Sequence, residues 1–527
     1  MWRMRAVVVG WAVSMTGMAW AAALPSAQGQ IHPQEHHERI LSLQQDDFVQ
    51  GRWQHSGQAV LELLGPDGRH IRRLSQDTDE AAPFGFIARS AGDYRLRVAG
   101  QGSYQWQLTA INAPAAPEQA EPLQGDVIRQ WAMRLRAGES SAGFWEYVSR
   151  VGSPLVERYS ATHDRVTFVW KGAQDNVRIH GGPASYDDRM QRLGDSDIWY
   201  ITYDLPRDAR FSYRIAADVP HVAPADRRAA LRAALQRDPY NPQLLPENSR
   251  DLFQGGSVLR LSQAPVPLAQ VSSTDQPQGT WRQGRLRSQA LGNERDIHIY
   301  QPPGAEQARH LLVLLDGREY REQANAPALI DTLVREGRIP PLRVVLIDNP
   351  GAASRSRELP PNPAYTRFLQ SELMPWLAAQ GLVADAANTV IAGSSYGGLA
   401  ALHAGWRLPH HFGNVLSLSG SFWWGPTGEH GQWLTRHLAD APAAAVNIYM
   451  TAGIFETSGS GQGVSLVQAN RHLYDVLRAR GYTVRYDEAA TGHDYVAWRD
   501  ALAVGLVHLL GPVASDQAVS SGQADRL

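Results

Sequence analysis

The residues whose types and spacing point most clearly to chemistry form a short run in the second half of the 527-residue chain. Gly393-Ser394-Ser395-Tyr396-Gly397 fits the pattern G-x-S-x-G, in which a serine lies on a tight turn between a strand and a helix. An apolar stretch, Thr389–Ala392, precedes the run, and a helical pattern follows it. The glycines suit a turn that has no room for side chains beside the nucleophile. We therefore predict that Ser395 is a catalytic nucleophile and that Ser394 is a bystander.

A serine nucleophile needs a base that takes its proton and an acid that orients the base. In folds with this pattern the order along the chain is serine, acid, histidine. His493 follows the last predicted strand within a loop, and Glu456 follows an earlier strand. We predict His493 as the base and Glu456 as the acid. The carboxylates that compete with Glu456 for this role are Asp487, Glu488 and Asp494.

Two backbone N–H groups must hold the negative charge that develops on the carbonyl oxygen under attack. One is expected at Tyr396, directly after the nucleophile, and the other in the loop Asp316-Gly317-Arg318 that follows an apolar strand. We predict Tyr396, Gly317 and Arg318 as the oxyanion hole. The alternative for Asp316-Gly317 is a simple turn.

The elements that must position these residues alternate between strand and helix over residues 280–512. Ile297, Ile299 and Tyr300 suggest an edge hairpin. Strands are predicted at Leu311–Leu315, Val344–Ile347, Thr389–Ala392, Asn447–Thr451 and Thr483–Tyr486. Several of them have the continuous apolar run that is typical of a strand covered on both faces. Helices are predicted at Ala364–Ala379, with a kink at Pro375, and at Leu466–Arg480. This alternation predicts an α/β-hydrolase domain with a doubly wound, mostly parallel sheet.

The first half of the chain has the period of two that half-buried antiparallel strands show. Tyr94, Leu96 and Val98 alternate with arginines, which predicts a β-sandwich accessory domain at residues 31–112. Residues 112–124 resemble a linker, and a second β-rich domain is predicted at 125–245, with a helix at Ala223–Gln236. Residues 513–527 are expected to form a disordered tail. The predicted fold class is multidomain, with N-terminal β-sandwich domains before the α/β-hydrolase domain.

The composition excludes several classes of function. The formal net charge of -2 argues against nucleic acid as a main partner. The chain has no cysteine, so disulfides, thiolate metal sites and a cysteine nucleophile are excluded. His36 and His37 are too isolated to suggest a metal site. We expect neither a protein-bound metal nor a cofactor.

The N-terminus has the features of a secretory signal peptide. Arg3 and Arg5 precede an apolar stretch, Ala6–Trp20, and small residues follow at Ala21–Ala23. We predict a signal peptide over residues 1–27, with cleavage after Ala23 or Ala27, and export to the periplasm. A membrane anchor is the alternative, but the apolar stretch is short and interrupted. No membrane span is expected after cleavage.

Several blocks of the sequence lie outside the general hydrolase pattern and resemble the enterochelin (enterobactin) esterase family over roughly residues 144–510. The similar blocks are Leu314-Leu315-Asp316-Gly317, Arg357-Glu358-Leu359, the segment Ala392–Leu399, Ser419-Gly420-Ser421-Phe422-Trp423-Trp424, Gly453-Ile454-Phe455-Glu456 and Gly492-His493-Asp494 with Trp498. In the preceding domain, Asp238-Pro239-Tyr240-Asn241-Pro242 and the strands around Trp170 and Trp199 resemble the family's N-terminal domain.

This resemblance implies a serine esterase that hydrolyses the trilactone of ferric enterobactin or a related catecholate siderophore. Iron would arrive with the substrate. A ferric catecholate is a multiply charged anion with aromatic faces, so Arg357 is the expected charge partner, with Arg355 and Arg318 as weaker candidates. Trp423, Trp424 and Trp498 are expected to line or stack in the pocket. The alternatives are an ion pair between Arg357 and Glu358 and packing of Trp423 and Trp424 under the next helix.

Two other functions compete with the siderophore esterase. Secreted hydrolases of similar topology act on feruloylated or acetylated carbohydrates, and an accessory sandwich would suit such a substrate. A siderophore-binding protein without catalysis is less favoured, because Ser395, Glu456 and His493 are all present.

Overall fold

The structure is a computed structural model that describes residues 24–45, 47–74, 82–88, 90–112, 124–184, 187–220, 227–249, 252–253, 255–272, 274–457 and 464–511. The predicted signal peptide up to residue 23 and the predicted tail at 513–527 lie outside the described residues. The chain divides into two compact units, residues 1–121 and residues 122–527. None of the described helices is long and apolar enough to cross a membrane.

The first unit consists of two antiparallel four-stranded sheets with the strand orders β1-β8-β3-β6 and β2-β7-β4-β5. The strands are β1 (Ser26–Ile31), β2 (His36–Leu43), β3 (Phe48–His55), β4 (Val60–Leu64), β5 (His70–Arg73), β6 (Ala82–Ile87), β7 (Gly92–Ala99) and β8 (Gly102–Asn112). Alternate residues point into one shared core, in which Leu61 and Leu96 of one sheet join Trp53 and Trp106 of the other. The unit is therefore a β-sandwich.

The sandwich begins earlier than the sequence suggested. Strand β1 starts at Ser26, and Ala27 is paired with Trp106 of β8. Ser26 and Ala27 were predicted to lie within the signal peptide, and the sandwich was predicted to begin at Ile31. The early start has a packing reason, since the pairing along β8 continues through all six residues of β1.

The second unit begins with helices α1 (Asp126–Arg136) and α2 (Ala142–Val151), so the prediction that residues 125–245 form a β-rich domain from their start was wrong at this point. The apolar residues Ile128, Trp131, Phe144 and Val148 recur at helical spacing and are buried against the following strands. Aromatic residues are common in strands as well as in buried helix faces, which is why this segment was misassigned.

Two sheets follow the helices, with the orders β13-β14-β10-β9 and β12-β11-β15-β18-β17, and β16 pairs with β15. Their strands are β9 (Leu155–Arg158), β10 (His163–Lys171), β11 (Val177–Gly181), β12 (Asp187–Arg189), β13 (Gln191–Arg192), β14 (Ile198–Pro206), β15 (Arg210–Ala217), β16 (Leu235–Gln236), β17 (Leu244–Leu245) and β18 (Gly256–Arg260). Helix α3 (Arg227–Ala234) lies within the predicted Ala223–Gln236 and ends earlier, because Leu235 and Gln236 extend the sheet as β16. The first predicted residues, 223–226, lie outside the described residues.

The C-terminal α/β domain is built on an eight-stranded sheet with the order β19-β20-β22-β21-β23-β24-β25-β26. The hairpin of β19 and β20 at one edge is antiparallel, and β20 is antiparallel to its other neighbour, β22. The remaining six strands, β21 to β26, are parallel to one another. The strands are β19 (Thr280–Ser288), β20 (Asn293–Gln301), β21 (His310–Leu315), β22 (Leu342–Ile347), β23 (Thr389–Ser394), β24 (Asn414–Leu418), β25 (Asn447–Gly453) and β26 (Thr483–Ala489).

Helices cover both faces of this sheet. They are α4 (Gly317–Glu322), α5 (Ala326–Arg335), α6 (Ala352–Glu358), α7 (Pro363–Arg367), α8 (Met374–Ala379), α9 (Tyr396–Arg407), α10 (Trp433–Asp440), α11 (Leu466–Ala479) and α12 (Tyr495–Leu510), with a 3₁₀ turn at Ala386–Asn388. Leu311 and Val313 of β21 point into one core, whereas Leu312 and Leu314 point into the other. Burial on both faces explains the continuous apolar runs of these strands.

Two local features differ from the sequence prediction. The helix predicted at Ala364–Ala379 is present as α7 and α8 joined by a π-helical segment, Phe368–Leu373, which ends just before Pro375. The wider turn accommodates a residue that has no N–H to donate. Strand β24 was not predicted, because Asn414 and Ser417 interrupt its short apolar run.

Candidate active site

Ser395 lies on a strained turn between β23 and α9. Its backbone is in an unusual conformation for a residue other than glycine, with φ 57° and ψ -121°. A Cβ atom on Gly393 would lie 2.6 Å from the carbonyl carbon of Gly397, so both sides of the turn pack backbone against backbone. The Ser395 N–H donates to the Leu418 carbonyl at 2.9 Å, and its own carbonyl accepts from the Ser421 N–H at 3.1 Å. The end of β24 therefore fixes the turn.

The predicted acid and base are in direct contact. Nδ1 of His493 lies 2.8 Å from Oε1 of Glu456, and the other oxygen of the buried Glu456 accepts the Gly453 N–H at 3.0 Å. A carboxylate at Nδ1 keeps the ring proton there, which leaves Nε2 as the proton acceptor.

The three competing carboxylates have other partners. Asp487 accepts from the Tyr449 hydroxyl at 2.7 Å, and Glu488 pairs with Arg471 at 2.6 Å. Asp494 caps helix α12.

Ser395, Glu456 and His493 follow β23, β25 and β26, and so lie at one edge of the sheet, where the carboxyl ends of the parallel strands meet. The hydroxyl of Ser395 is hydrogen-bonded to that of Ser421 at 3.3 Å. Within the part of the chain that the structure describes, no hydrogen bond joins Ser395 to His493. The structure thus brings the predicted acid and base together and places the predicted nucleophile on the neighbouring turn. Catalytic contacts of this kind commonly tighten when substrate binds.

Trp498 orients the imidazole. Its ring meets His493 edge-to-face, with centroids 4.8 Å apart, and its indole N–H donates to the Ser419 hydroxyl at 3.0 Å. Only 6% of Trp498 is exposed. Sequence analysis assigned this residue to substrate binding, and the structure places it against His493 and on the wall of a cavity.

The predicted oxyanion residues begin two helices at the same edge of the sheet. Gly317 is the first residue of α4 and Tyr396 is the first residue of α9, and the N–H groups of a first helical turn point out of the helix end. Arg318 follows Gly317 with an exposed side chain. Asp316, in the left-handed conformation, is not a simple surface turn residue, because its buried carboxylate binds Arg355 through two 2.7 Å hydrogen bonds.

The arginines expected to meet substrate charge differ in their surroundings. Arg355 is bound to Asp316. Burial alone would lower the pKa of Arg355, but the hydrogen bonds to Asp316 outweigh burial and raise this pKa. Arg357 keeps 65% of its side chain exposed and contacts Glu358 at 3.3 Å, as the alternative interpretation anticipated. Glu358 is itself buried against Arg295 at 2.6 Å.

Trp423 and Trp424 are half-buried. Trp423 packs beside Tyr396 with ring centroids 6.0 Å apart, and Trp424 packs on Trp433 at the start of α10. Trp424 therefore packs against the next helix, as the alternative predicted. Trp423 lies closer to the turn Gly393–Gly397 that carries Ser395, which we call the elbow.

A cavity of about 760 Å³ opens beside the base, and sequence analysis did not anticipate it. His493, Tyr495 and Trp498 line one side, and His180 and Arg214 of the β-rich domain line the other. Segments hundreds of residues apart in sequence form this cavity, and no local spacing signals such a meeting.

Comparisons with known proteins agree with this arrangement. A model of the Esterase family matches residues 288–509, and a model described as "Enterochelin esterase, N-terminal" matches residues 165–270. The chain is 32% identical to an iron(III) enterobactin esterase of Escherichia coli O6:H1 over 422 residues, which is 73% of this chain and 99% of that protein. An iron(III) salmochelin esterase of the same strain is 29% identical, over 70% of this chain and 93% of that protein.

A solved structure shows the same likeness. The enterobactin esterase of Shigella flexneri, crystallised in the presence of enterobactin, superposes with a TM-score of 0.56 and 28% identity, over 70% of this chain and 98% of that one. The fold and the site define a protein with a β-rich N-terminal region and a C-terminal α/β esterase domain. The chain belongs to the enterobactin esterase family.

Proposed function

We propose that this protein is a serine esterase that hydrolyses the trilactone ester bonds of ferric enterobactin or a related catecholate siderophore. One observation carries the proposal: the 2.8 Å contact between His493 and Glu456 lies at the same sheet edge as the strained Ser395 turn. The relatives named iron(III) enterobactin esterase, which align over nearly their whole length, support the substrate class.

The residues present account for each step of ester hydrolysis. The Ser395 hydroxyl attacks the carbonyl carbon while Nε2 of His493 takes its proton. The N–H groups of Tyr396 and of Gly317 or Arg318 hold the oxyanion. His493 returns the proton to the leaving alcohol as the ester bond breaks, and water then releases the acyl group from Ser395 by the same route.

Iron belongs to the substrate in this mechanism, and no step requires a cofactor. The exposed Arg357 and the half-buried Trp423 and Trp424 are proposed substrate contacts near the elbow. Hydrolysis of the trilactone would loosen the grip of the ligand on iron.

Product analysis of purified protein with ferric enterobactin tests the proposal. Mass spectrometry should detect linearised product, Ser395→Ala should abolish it, and the neighbouring Ser394→Ala should serve as a matched control that retains turnover. Normal turnover in Ser395→Ala would remove that residue from its role. A strong preference for feruloyl or acetyl sugar esters in a parallel panel would favour the carbohydrate esterase instead.

We also propose that the protein is exported to the periplasm, with cleavage after Ala23. Cleavage there leaves β1 whole, whereas cleavage after Ala27 would remove Ser26 and Ala27, which pair with β8. Mass spectrometry of the mature N-terminus distinguishes the two sites, and recovery of an uncleaved chain would contradict export by this route.

A further inference from the structure

The cavity beside the base is bounded by two different domains. His493 and Trp498 come from the α/β domain, and Arg214 comes from β15 of the β-rich domain. A volume of about 760 Å³ falls within the usual range of small-molecule sites, roughly 300–1,000 Å³. Because the proposed catalytic base forms part of its wall, a ligand in this cavity lies next to His493.

Arg214 lines the cavity without a counter-charge. Its side chain is partly buried, and within the described residues it forms no hydrogen bond and no ion pair. Burial lowers the pKa of Arg214. Three other arginines with partly or fully buried side chains do face a carboxylate: Arg210 pairs with Asp500, Arg295 with Glu358, and Arg355 with Asp316.

The carboxylates of the cavity wall do not neutralise Arg214. Asp494 uses one oxygen to accept the Ser212 N–H at 2.7 Å and the other to accept the N–H groups of Val496 and Ala497. Glu322 lies on the wall with an exposed side chain that water can solvate. A desolvated cation that lacks a partner is costly, so the site favours an anionic ligand.

We infer that Arg214 is the residue with which this cavity recognises an anionic substrate, and that it makes the protein prefer the iron-loaded catecholate to the iron-free one. This inference rests on the proposed function. Iron(III) binds catechols as phenolates, so the complex carries several negative charges, whereas the free trilactone with protonated catechols is uncharged. A guanidinium can donate to phenolate oxygens and stack on a catechol ring, and it therefore discriminates between the two forms.

Binding measurements separate recognition from hydrolysis. The ligand is a ferric tripodal tris-catecholamide that contains no ester bond, and tryptophan fluorescence reports its binding. Arg214→Gln should weaken binding of the ferric ligand roughly 10- to 100-fold and leave binding of the iron-free ligand nearly unchanged. Arg214→Lys should recover part of the loss, because it restores the charge without the planar fork. Arg189→Gln, an exposed arginine on β12 of the same sheet and outside the cavity wall, is the matched control and should bind as the native protein does.

Turnover of an uncharged p-nitrophenyl ester checks that each variant is folded and retains its catalytic groups. Equal binding of the ferric ligand by Arg214→Gln and the native protein would overturn the inference, and so would an equal loss for both forms of the ligand. If Arg214→Gln loses ferric binding but the native protein hydrolyses no catecholate ester, the anion site stands and the proposed function fails. If the native protein linearises enterobactin and the ferric preference survives Arg214→Gln, the function stands and this inference fails.

Discussion

Oδ2 of Asp494 accepts a 2.7 Å hydrogen bond from the backbone N–H of Ser212, which ties the residue after the proposed base to strand β15 of the β-rich domain. The same strand donates from the Arg210 N–H to the Ala490 carbonyl at 2.9 Å. Phe211 meets Phe455, the neighbour of Glu456, edge-to-face. One strand of the preceding domain therefore supports both loops that carry the proposed acid and the proposed base.

Removing the Asp494 carboxylate should weaken this support. Asp494→Ala loses the cap of helix α12, worth about 0.5–2 kcal/mol, and leaves the Ser212 N–H without its acceptor. We expect a loss of about 2–3 kcal/mol in the free energy of unfolding and a lower kcat, because His493 is adjacent. Urea unfolding and ester turnover measure the two effects. Asp494→Asn, which can still cap the helix, should lose less stability. Unchanged stability in Asp494→Ala would show that this carboxylate does not support the loop of the proposed base.

Replacing Glu456 by glutamine should lower kcat by about 10²–10⁴-fold with little change in KM. The carboxylate accepts two hydrogen bonds, from His493 and from the Gly453 N–H, whereas an amide has a single acceptor oxygen. When that oxygen faces Gly453, the amide NH₂ faces Nδ1 and favours the wrong tautomer of the base. Glu488→Gln is the matched control, since Glu488 pairs with Arg471. Full activity in Glu456→Gln would leave a serine–histidine pair as the working unit.

The elbow should not tolerate a methyl group at Gly393. The added Cβ would lie 2.6 Å from the backbone of Gly397, so the turn would have to open. We expect Gly393→Ala to cost about 1–3 kcal/mol of stability and to lower kcat by about 10²-fold, because the hydroxyl of Ser395 moves. Gly351→Ala is the control, as its Cβ would meet nothing within 4 Å. Native thermal stability and kcat in Gly393→Ala would show that the elbow can relax.

Acid should destabilise the α/β domain through His403, which is buried in helix α9 between Trp406 and Trp433. Burial, with smaller contributions from Arg407 and His437, lowers the pKa of His403 to about 4. The unfolded chain takes up this proton near pH 6.5 and the folded one does not, so stability present above pH 6.5 is lost as the pH falls towards 4. The loss amounts to about 3 kcal/mol at most.

His403→Phe should remove this part of the acid sensitivity. Thermal unfolding midpoints at pH 7 and pH 5 should lie closer together in His403→Phe than in the native protein. The same substitution at the exposed His430 is the control and should leave the difference as it is. An unaltered pH difference in His403→Phe would mean that other groups account for it.

The sequence alone determined those features that depend on local spacing. The strand, the G-x-S-x-G turn and the following helix are contiguous, so the position of Ser395 could be predicted from the pattern. The period of two in Tyr94, Leu96 and Val98 likewise predicted strand β7, which buries all three. The positions of Glu456 and His493 after their strands followed from the order of elements in such folds.

Local patterns failed where one residue type suits two structures. The aromatic residues of helices α1 and α2 are equally at home in strands, and the polar Asn414 and Ser417 concealed strand β24. That strand matters, because its end supplies the Leu418 carbonyl and the Ser421 N–H that fix the Ser395 turn.

Only the tertiary structure decided which side chains meet. Arg355, Arg357 and Arg214 are indistinguishable as sequence letters, yet the first is locked to Asp316, the second is largely exposed, and the third lines a cavity without a counter-charge. The charge state and role of an arginine depend on burial and on partners brought from distant strands. Spacing along the chain cannot encode these, because folding brings together segments hundreds of residues apart.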